Sequence, residues 1–559
     1  MSQSKVLGDQ AGRRAQIAWL GIFALAAATA VLAPLVSVAL NVVAGGTGQT
    51  WRHLSSTVLP EYVLTTLYLC LGVGVGVSAL GVGAAWLVTR HDFVGRATFE
   101  WALVLPLAMP AYVMAYAYTD LLQFVGPVQT ALRDAFGWRR ADYWFPEVRS
   151  LGGAMLMFIL VLYPYVYMLA RTAFLDRAGG MIEVGRSLGL SPWQAFLRLS
   201  LPVARPSIAA GVALALMETL ADYGTVSYFG VQTFTTGIYR AWFSLGDRPA
   251  AAQLAMVLLA FVITVLALER WSRGRRRFHE TSLRRSGTAR VGLRGGRAGL
   301  AALACLIPLV LGFGLPAALM ATMAWRDGDA QFGPRFFGLA SNSVLVAGTT
   351  AVFAVAVALF IGYAARVQRG PAVRWAHRVA GLGYALPGSV IAVGVLIPVT
   401  QLDHALAALL HDVLGWQVGL IFTGSIAALV YACVVRYLAA AMQAVDAGLA
   451  RITPNMEHVA RSLGHAPVQV LRRIHLPLLR GSVLTAGLLV FIDVMKELPA
   501  TLVMRPFNFD TLATQAYTLA TDERLSEAST SALAIVVVGL IPLVLLCRQI
   551  AHGERTQLS

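Results

Sequence analysis

Twelve runs of this chain are long and apolar enough to cross a bilayer, and nothing else constrains its fold as strongly. A spanning helix takes about 20 apolar residues. The runs fall near 16–43, 62–89, 98–125, 151–171, 206–230, 250–269, 298–323, 340–364, 379–400, 416–438, 481–504 and 528–547. Composition excludes a water-facing surface over such runs. Of 559 residues 57% are hydrophobic and 13% charged, where a soluble domain carries about 25% charged residues. The expectation is an all-α polytopic membrane protein with 12 transmembrane helices and the lipid bilayer as part of its solvent. Pro106 and Pro110 in the third run, and Pro387 and Gly388 in the ninth, predict kinks, which membrane helices tolerate where neighbours satisfy the freed carbonyls.

The net charge of +16 does not point to nucleic acid, because most of the positive residues sit in short loops between apolar runs. There they orient a membrane protein, the cytoplasmic side taking the excess. Their distribution predicts both termini in the cytoplasm. The outer loop 126–150, with Arg133, Arg139, Arg140 and Arg149, is a mild exception, partly balanced by Asp134, Asp142 and Glu147. The first run, Ile17 to Val43, is too long for the apolar core of a cleaved signal and reads as a retained helix. Cys70, Cys305, Cys433 and Cys547 lie in or beside apolar runs with no ligand spacing, as small buried hydrophobes do.

An internal repeat organises the chain. Arg186-Ser187-Leu188-Gly189 followed by Leu201-Pro202 recurs as Arg461-Ser462-Leu463-Gly464 followed by Leu476-Pro477, with an offset of 275 at both ends. Six spans per half is an even number, so both copies enter the membrane in one orientation, related by an axis along its normal. The predicted division is a first six-helix half at 1–269, a basic cytoplasmic linker at 270–297 and a second half at 298–559. The linker carries ten arginines and one acid, Glu280, and reads as lying against anionic headgroups.

Each repeated loop reads as a short helix, a glycine turn, a second short helix, and Leu-Pro before the next span. Ser191 before Pro192 is an N-cap with proline at the first helical position; the second copy has Ala466-Pro467 there. Phe196, Leu197 and Leu201 give the first loop an apolar face that suits a partner's groove.

On these residues the chain resembles the permease subunits of binding-protein-dependent ABC importers, whose hallmark is a cytoplasmic "EAA" loop with a later glycine and Leu-Pro. Glu183 and Gly189 match it, with Val184 and Gly185 in place of the alanines. In the second copy His458 stands at the glutamate position and Glu457 is shifted by one, while Gly464 fits. The resemblance implies two fused type I permease repeats whose loops dock on two copies of a cytoplasmic ABC ATPase. The chain itself has no site for ATP. A phosphate-binding loop needs Gly-Lys before Ser or Thr, and the two lysines, Lys5 and Lys496, follow Ser4 and Met495. No cofactor is expected on this chain, and ATP and magnesium belong to the partner.

Carboxylates within spans are costly and mark function by default. Glu218 and Asp222 recur at the offset as Asp493 and Glu497, beside Lys496. Spacing of i, i+4 puts each pair on one helix face. Asp493 stands about 24 Å along a helix beginning at Pro477. Such carboxylates could suit a hard trivalent cation, gate by pairing with Lys496, or form a structural network between helices. The flanking residues resemble ferric-iron permeases, in Asp222-Tyr223-Gly224-Thr225 and Thr235-Thr236-Gly237 of the first half and Asp493-Val494-Met495-Lys496-Glu497-Leu498-Pro499 of the second. That resemblance implies a periplasmic iron-binding protein as partner and ferric iron as cargo. A fused permease for thiamine or a phosphonate is the nearest rival, and Tyr112, Tyr116 and Tyr118 could offer part of an aromatic cage for an organic cation. A secondary transporter driven by an ion gradient is the rival from another class, though it needs no ATPase dock. Asp403, His404, His411 and Asp412 read as a solvated helix.

Overall fold

Apolar runs leave the backbone no water to bond, so they close their hydrogen bonds within helices. The structure, a computed structural model, describes residues 3–44, 49–176, 189–273, 290–326, 333–368, 370–383, 386–417, 419–463 and 465–555. Among them ten helices are long and apolar enough to cross a membrane. On helix Leu59–Arg90 the stripe Leu64, Leu67, Leu71 and Val75 is exposed, which is how a lipid-facing surface looks without its lipid.

The described residues differ from twelve similar spans in two places, and the twelfth run is described only in part. The third run is two helical pieces, Arg96–Ala108 and Ala111–Phe136, bent by 91°. Met109, forced out of the helical region by Pro110, is extended (ψ 116) and makes the corner. The ninth does not cover 379–400. Pro387 starts a helix at Gly388 that runs to Leu414, preceded by a separate helix Pro371–Ala380. The last helix, Leu525–Arg555, has a described apolar part, Leu525–Ile541, shorter than the other spans.

The chain packs as two units, and these are not the two sequence halves. One comprises Gln49–Arg240, Val257–Gly333 and Gln515–Ser559. Its centre is helix Leu151–Asp176, flanked by Leu59–Arg90 and Leu201–Ala221. Backbones come close there because glycine faces Val166 from both sides. A Cβ on Gly81 would lie 2.7 Å from the Val166 Cβ, and one on Gly211 2.7 Å from its Cα. This unit takes in the helical stretch Gly296–Arg326, the opening span of the second sequence half. Tyr118 donates to the Leu311 carbonyl (2.7 Å) across that contact. The end of the basic linker is ordered too. Val291 and Gly292 form a short parallel ladder with His91 and Asp92. Helix Arg248–Arg273 runs into its start, and residues 274–289 lie outside the described ones.

The other unit comprises Met1–Gly48, Ala241–Met256 and Pro334–Thr514. Helices Pro334–Val367, Ile426–Ala450 and Leu476–Met495 form its centre. The chain's first helix, Gln3–Ala44, lies along Gly388–Leu414 in this unit. Gly394 admits the Pro34 carbonyl, and Tyr431 donates to the Ala30 carbonyl (2.6 Å). Each unit therefore holds the first span of the opposite half of the sequence.

Overpacking a tight contact costs about 1–3 kcal/mol. Gly211→Ala should lower the thermal midpoint of the detergent-purified protein on that scale. Gly83→Ala, where a Cβ meets nothing within 4 Å, should leave it unchanged.

Candidate functional site

The second loop opens with helix Pro454–Ser462. Glu457 is buried under it, and its carboxylate receives the Arg366 guanidinium, with His475 Nε2 3.3 Å away. Arg366 also donates to the carbonyls of Leu449 and Ile452. Tyr363 meets His475 edge-on at 5.2 Å and donates to the Pro467 carbonyl at 2.7 Å. The ionic anchor thus turns one side of the helix inward. Met456, Val459 and Leu463, three and four residues apart on another side, are 48%, 59% and 73% exposed. Gly464 and the His458 side chain lie outside the described residues.

The first loop is held differently. Residues 177–188, Glu183 among them, lie outside the described ones. Gly189 has φ +78, a left-handed conformation that suits only glycine at a turn. Ser191 and Gln194 cap each other reciprocally: Gln194 N donates to Ser191 Oγ (3.3 Å) and Ser191 N to Gln194 Oε1 (3.0 Å). The anchor is aromatic. Phe196 is buried against Trp86 (ring centroids 4.5 Å), Trp193 and Phe174. Trp193 and Leu197 are left exposed, Trp193 at 65%.

Leu201-Pro202 and Leu476-Pro477 do not separate loop from span, as the sequence suggested. Trp193–Ala221 and Pro467–Met495 each run as one helix. A proline inside a helix lacks its N–H and its ring crowds the carbonyl four residues back. One wide π turn before each Leu-Pro relieves this, at Phe196–Ser200 and at Leu471–His475, 275 positions apart. A third π turn, Val310–Gly314, precedes Leu315-Pro316 in the same manner.

At the far end of these helices the four carboxylates divide into two kinds. Asp222 lies just past helix Leu201–Ala221 and accepts from Thr225 N (2.9 Å), Thr225 Oγ1 (3.0 Å) and Val226 N (3.2 Å). It starts the short helix Gly224–Tyr228. Glu497, 3% exposed, stands at the same register and accepts from Ala500 N (2.8 Å) at the start of Pro499–Met504. It also takes a 3.0 Å ion pair from Arg436. Gly388 leaves room for that pair, since a Cβ there would lie 2.6 Å from the Arg436 guanidinium. Because Asp222 and Glu497 sit beyond the helix ends, neither shares a helical face with its partner as i, i+4 spacing predicted. Asp493 is partly exposed and pairs with Lys496 at 2.9 Å. Glu218 lies within its helix, partly exposed.

Tyr223 stacks on Tyr239 with centroids 3.7 Å apart, and its hydroxyl is 3.5 Å from that of Tyr517. Tyr112, Tyr116 and Tyr118 are buried in packing and offer no open cage. Of the outer acids and histidines, His404, His411 and Asp412 are exposed, but Asp403 is not solvated. It is 1% exposed and accepts from the backbone N–H groups of Ile421, Phe422 and Thr423. Sequence reasoning passed over Arg366, Arg436, His475 and Tyr517. Arg436 carried a readable signal, a charged side chain within an apolar run.

Breaking a buried ion pair from one side costs about 3–5 kcal/mol, because the other charge is stranded. Glu497→Gln should therefore depress membrane abundance and thermal midpoint far more than Asp493→Asn, whose pair is partly exposed. Equal effects from the two variants would contradict this division.

Residues 78–277 match the family described as binding-protein-dependent transport system inner membrane component. The chain is 27% identical over 539 residues to a Fe(3+)-transport system permease protein of Haemophilus influenzae, covering 94% of this chain and 97% of that one. It is 26% identical over 197 residues to a molybdenum transport system permease protein of Escherichia coli, covering 34% of this chain and 83% of the relative. A sulfate transport system permease protein of the same organism matches at 23% over 252 residues, 44% and 88%. Over residues 78–277, and through a likeness that runs along 94% of its length, this chain is similar to permease components of binding-protein-dependent transport systems.

Proposed function

We propose that the chain is the whole transmembrane pathway of an ATP-driven importer that carries ferric iron, delivered by a periplasmic binding protein, by alternating access. The observation that carries the cargo is the likeness to a permease named for Fe(3+), which runs the length of both proteins. The likenesses to permeases named for molybdenum and sulfate each cover less than half of this chain. They favour an oxyanion as the second reading. A partition into two fused six-helix copies, 1–269 and 298–559, is supported by loop elements recurring 275 positions apart, and both termini in the cytoplasm by the excess of positive residues in the segments assigned to that side. In this reading the two loops dock on two copies of an ATPase subunit, which hold the ATP and magnesium. Met456, Val459 and Leu463 in one loop, and Trp193 and Leu197 in the other, supply exposed apolar side chains of the kind that fill a partner's groove. Glu218, Asp493 and Lys496 are assigned to the pathway or its gate. Asp222 and Glu497 hold the helix breaks that shape it.

Purification of the full transporter tests the coupling assignment. Leu463→Asp or Trp193→Asp should release most of the co-purifying ATPase while leaving membrane insertion intact, and Gly189→Pro or Gly464→Pro should abolish uptake. Retained transport with no ATPase subunit present would instead support an ion-gradient carrier.

A further inference from the structure

In the unit that contains most of the first sequence half, three hydroxyl groups converge, two from the start and body of helix Gly224–Tyr228 and one from helix Leu512–Thr521. The Tyr517 hydroxyl lies 2.9 Å from Ser227 Oγ and 3.5 Å from the Tyr223 hydroxyl. All three residues are partly exposed, whereas the neighbouring Tyr116, Tyr228 and Tyr239 are buried. We propose that Tyr223, Ser227 and Tyr517 form an oxygen-donor contact through which a hard, oxygen-seeking trivalent cation enters the pathway. The proposal rests on the ferric reading above and goes beyond it by assigning the contact.

The three oxygens are held in place before any cargo arrives. The Tyr223 ring is stacked on Tyr239 with planes 17° apart. Ser227 belongs to the short helix whose first N–H groups are held by Asp222, and the Asp222 carbonyl accepts from Thr235 Oγ1 at 2.8 Å. The Tyr517 ring sits 5.8 Å from Tyr223. The cluster follows helix Leu201–Ala221, whose 21 residues span about 31 Å from the loop side. It therefore lies towards the outer face.

Hard cations take oxygen ligands. A pathway must also let its cargo go, so a contact has to attract without trapping. Among the described residues no group of three His, Cys, Asp or Glu side chains is placed to hold a metal ion. A phenol carries no standing charge and ligates a hard cation only on releasing its proton to water, so it meets both requirements better than clustered carboxylates would. The arrangement is also one-sided. At the offset of 275 from Tyr223, Tyr228 and Tyr239 the second half has Leu498, Val503 and Thr514. Tyr517 comes from the second half, and 275 positions before it stands Trp242, so the paired phenols of the contact occur once and are not repeated at the offset.

The test uses the full transporter with its own ATPase and binding protein, in cells lacking other iron uptake, at equal membrane abundance. The probes are radioactive iron(III) as citrate, molybdate and sulfate. Tyr223→Phe/Tyr517→Phe keeps both rings and the stacking and removes only oxygen. Removing metal-site groups typically costs about 10–100-fold, and the initial rate of iron uptake should fall by that factor. The purified wild-type complex loaded with iron(III) should show a visible phenolate-to-iron charge-transfer band that the double variant lacks, a signature no structural role would supply. Wild-type iron uptake and an unchanged band in the double variant would overturn the hydroxyl contact and leave the ferric reading standing. If the unaltered transporter takes up molybdate or sulfate but no iron, the ferric reading fails, and this contact fails with it.

Discussion

A backbone N–H that leaves a helix in an apolar setting has no water to turn to, and this single constraint explains where the chain places its acids. Asp222 and Glu497 each sit at a break between helices and receive N–H groups of the segment that follows, and Asp403, within helix Gly388–Leu414, receives those of the turn beyond that helix's end. Without such acceptors each break would leave polar groups unsatisfied, at a cost comparable to a lost hydrogen bond apiece. The breaks are what make the interior irregular, and irregular backbone at membrane depth is tolerated only where protein or a cavity surrounds it. Carboxylates that look like pathway residues in the sequence are therefore partly the means by which a pathway can be built at all.

The two loops solve one anchoring problem with different chemistry. In one, Glu457 lies between Arg366 and His475. In the other, Phe196 lies among Trp86, Trp193 and Phe174. At the offset, His475 corresponds to Ser200 and Leu471 to Phe196. An ionic anchor depends on geometry and desolvation, an aromatic one on buried area and ring contact. Two stretches that correspond at the offset of 275 are thus held by unlike supports.

Much of this was legible beforehand. Ten long apolar helices each lie over most of one run, and the offset of 275 that was read from Leu-Pro also locates the π turns. What the sequence hid was of two kinds. Breaks such as Met109 and Asp222 lie within runs of uniform hydropathy, so an averaged apolar signal passes over them. Long-range pairs such as Arg436 with Glu497, 61 positions apart, have no spacing rule at all. Arg366 was concealed for a third reason: at the end of a span, an arginine reads as an orienting charge, whereas here it is half-buried and bound to a carboxylate and two carbonyls. The exchange of first spans between the units is equally silent, because periodicity says that a helix is buried but not against what.

The π turns have a mechanical consequence. Because they keep Trp193–Ala221 and Pro467–Met495 unbroken, neither loop is joined to its span by a flexible link. Each is a lever of 29 residues, about 43 Å long. A tilt of about 10° around its middle would swing both tips by roughly 4 Å in opposite directions, comparable to the width of a dehydrated metal ion and its ligands. A push on Trp193 at one tip is then felt at Asp222 on the other with no intermediate to relax it. The proline that would ordinarily weaken such a lever is absorbed by one widened turn near its loop end.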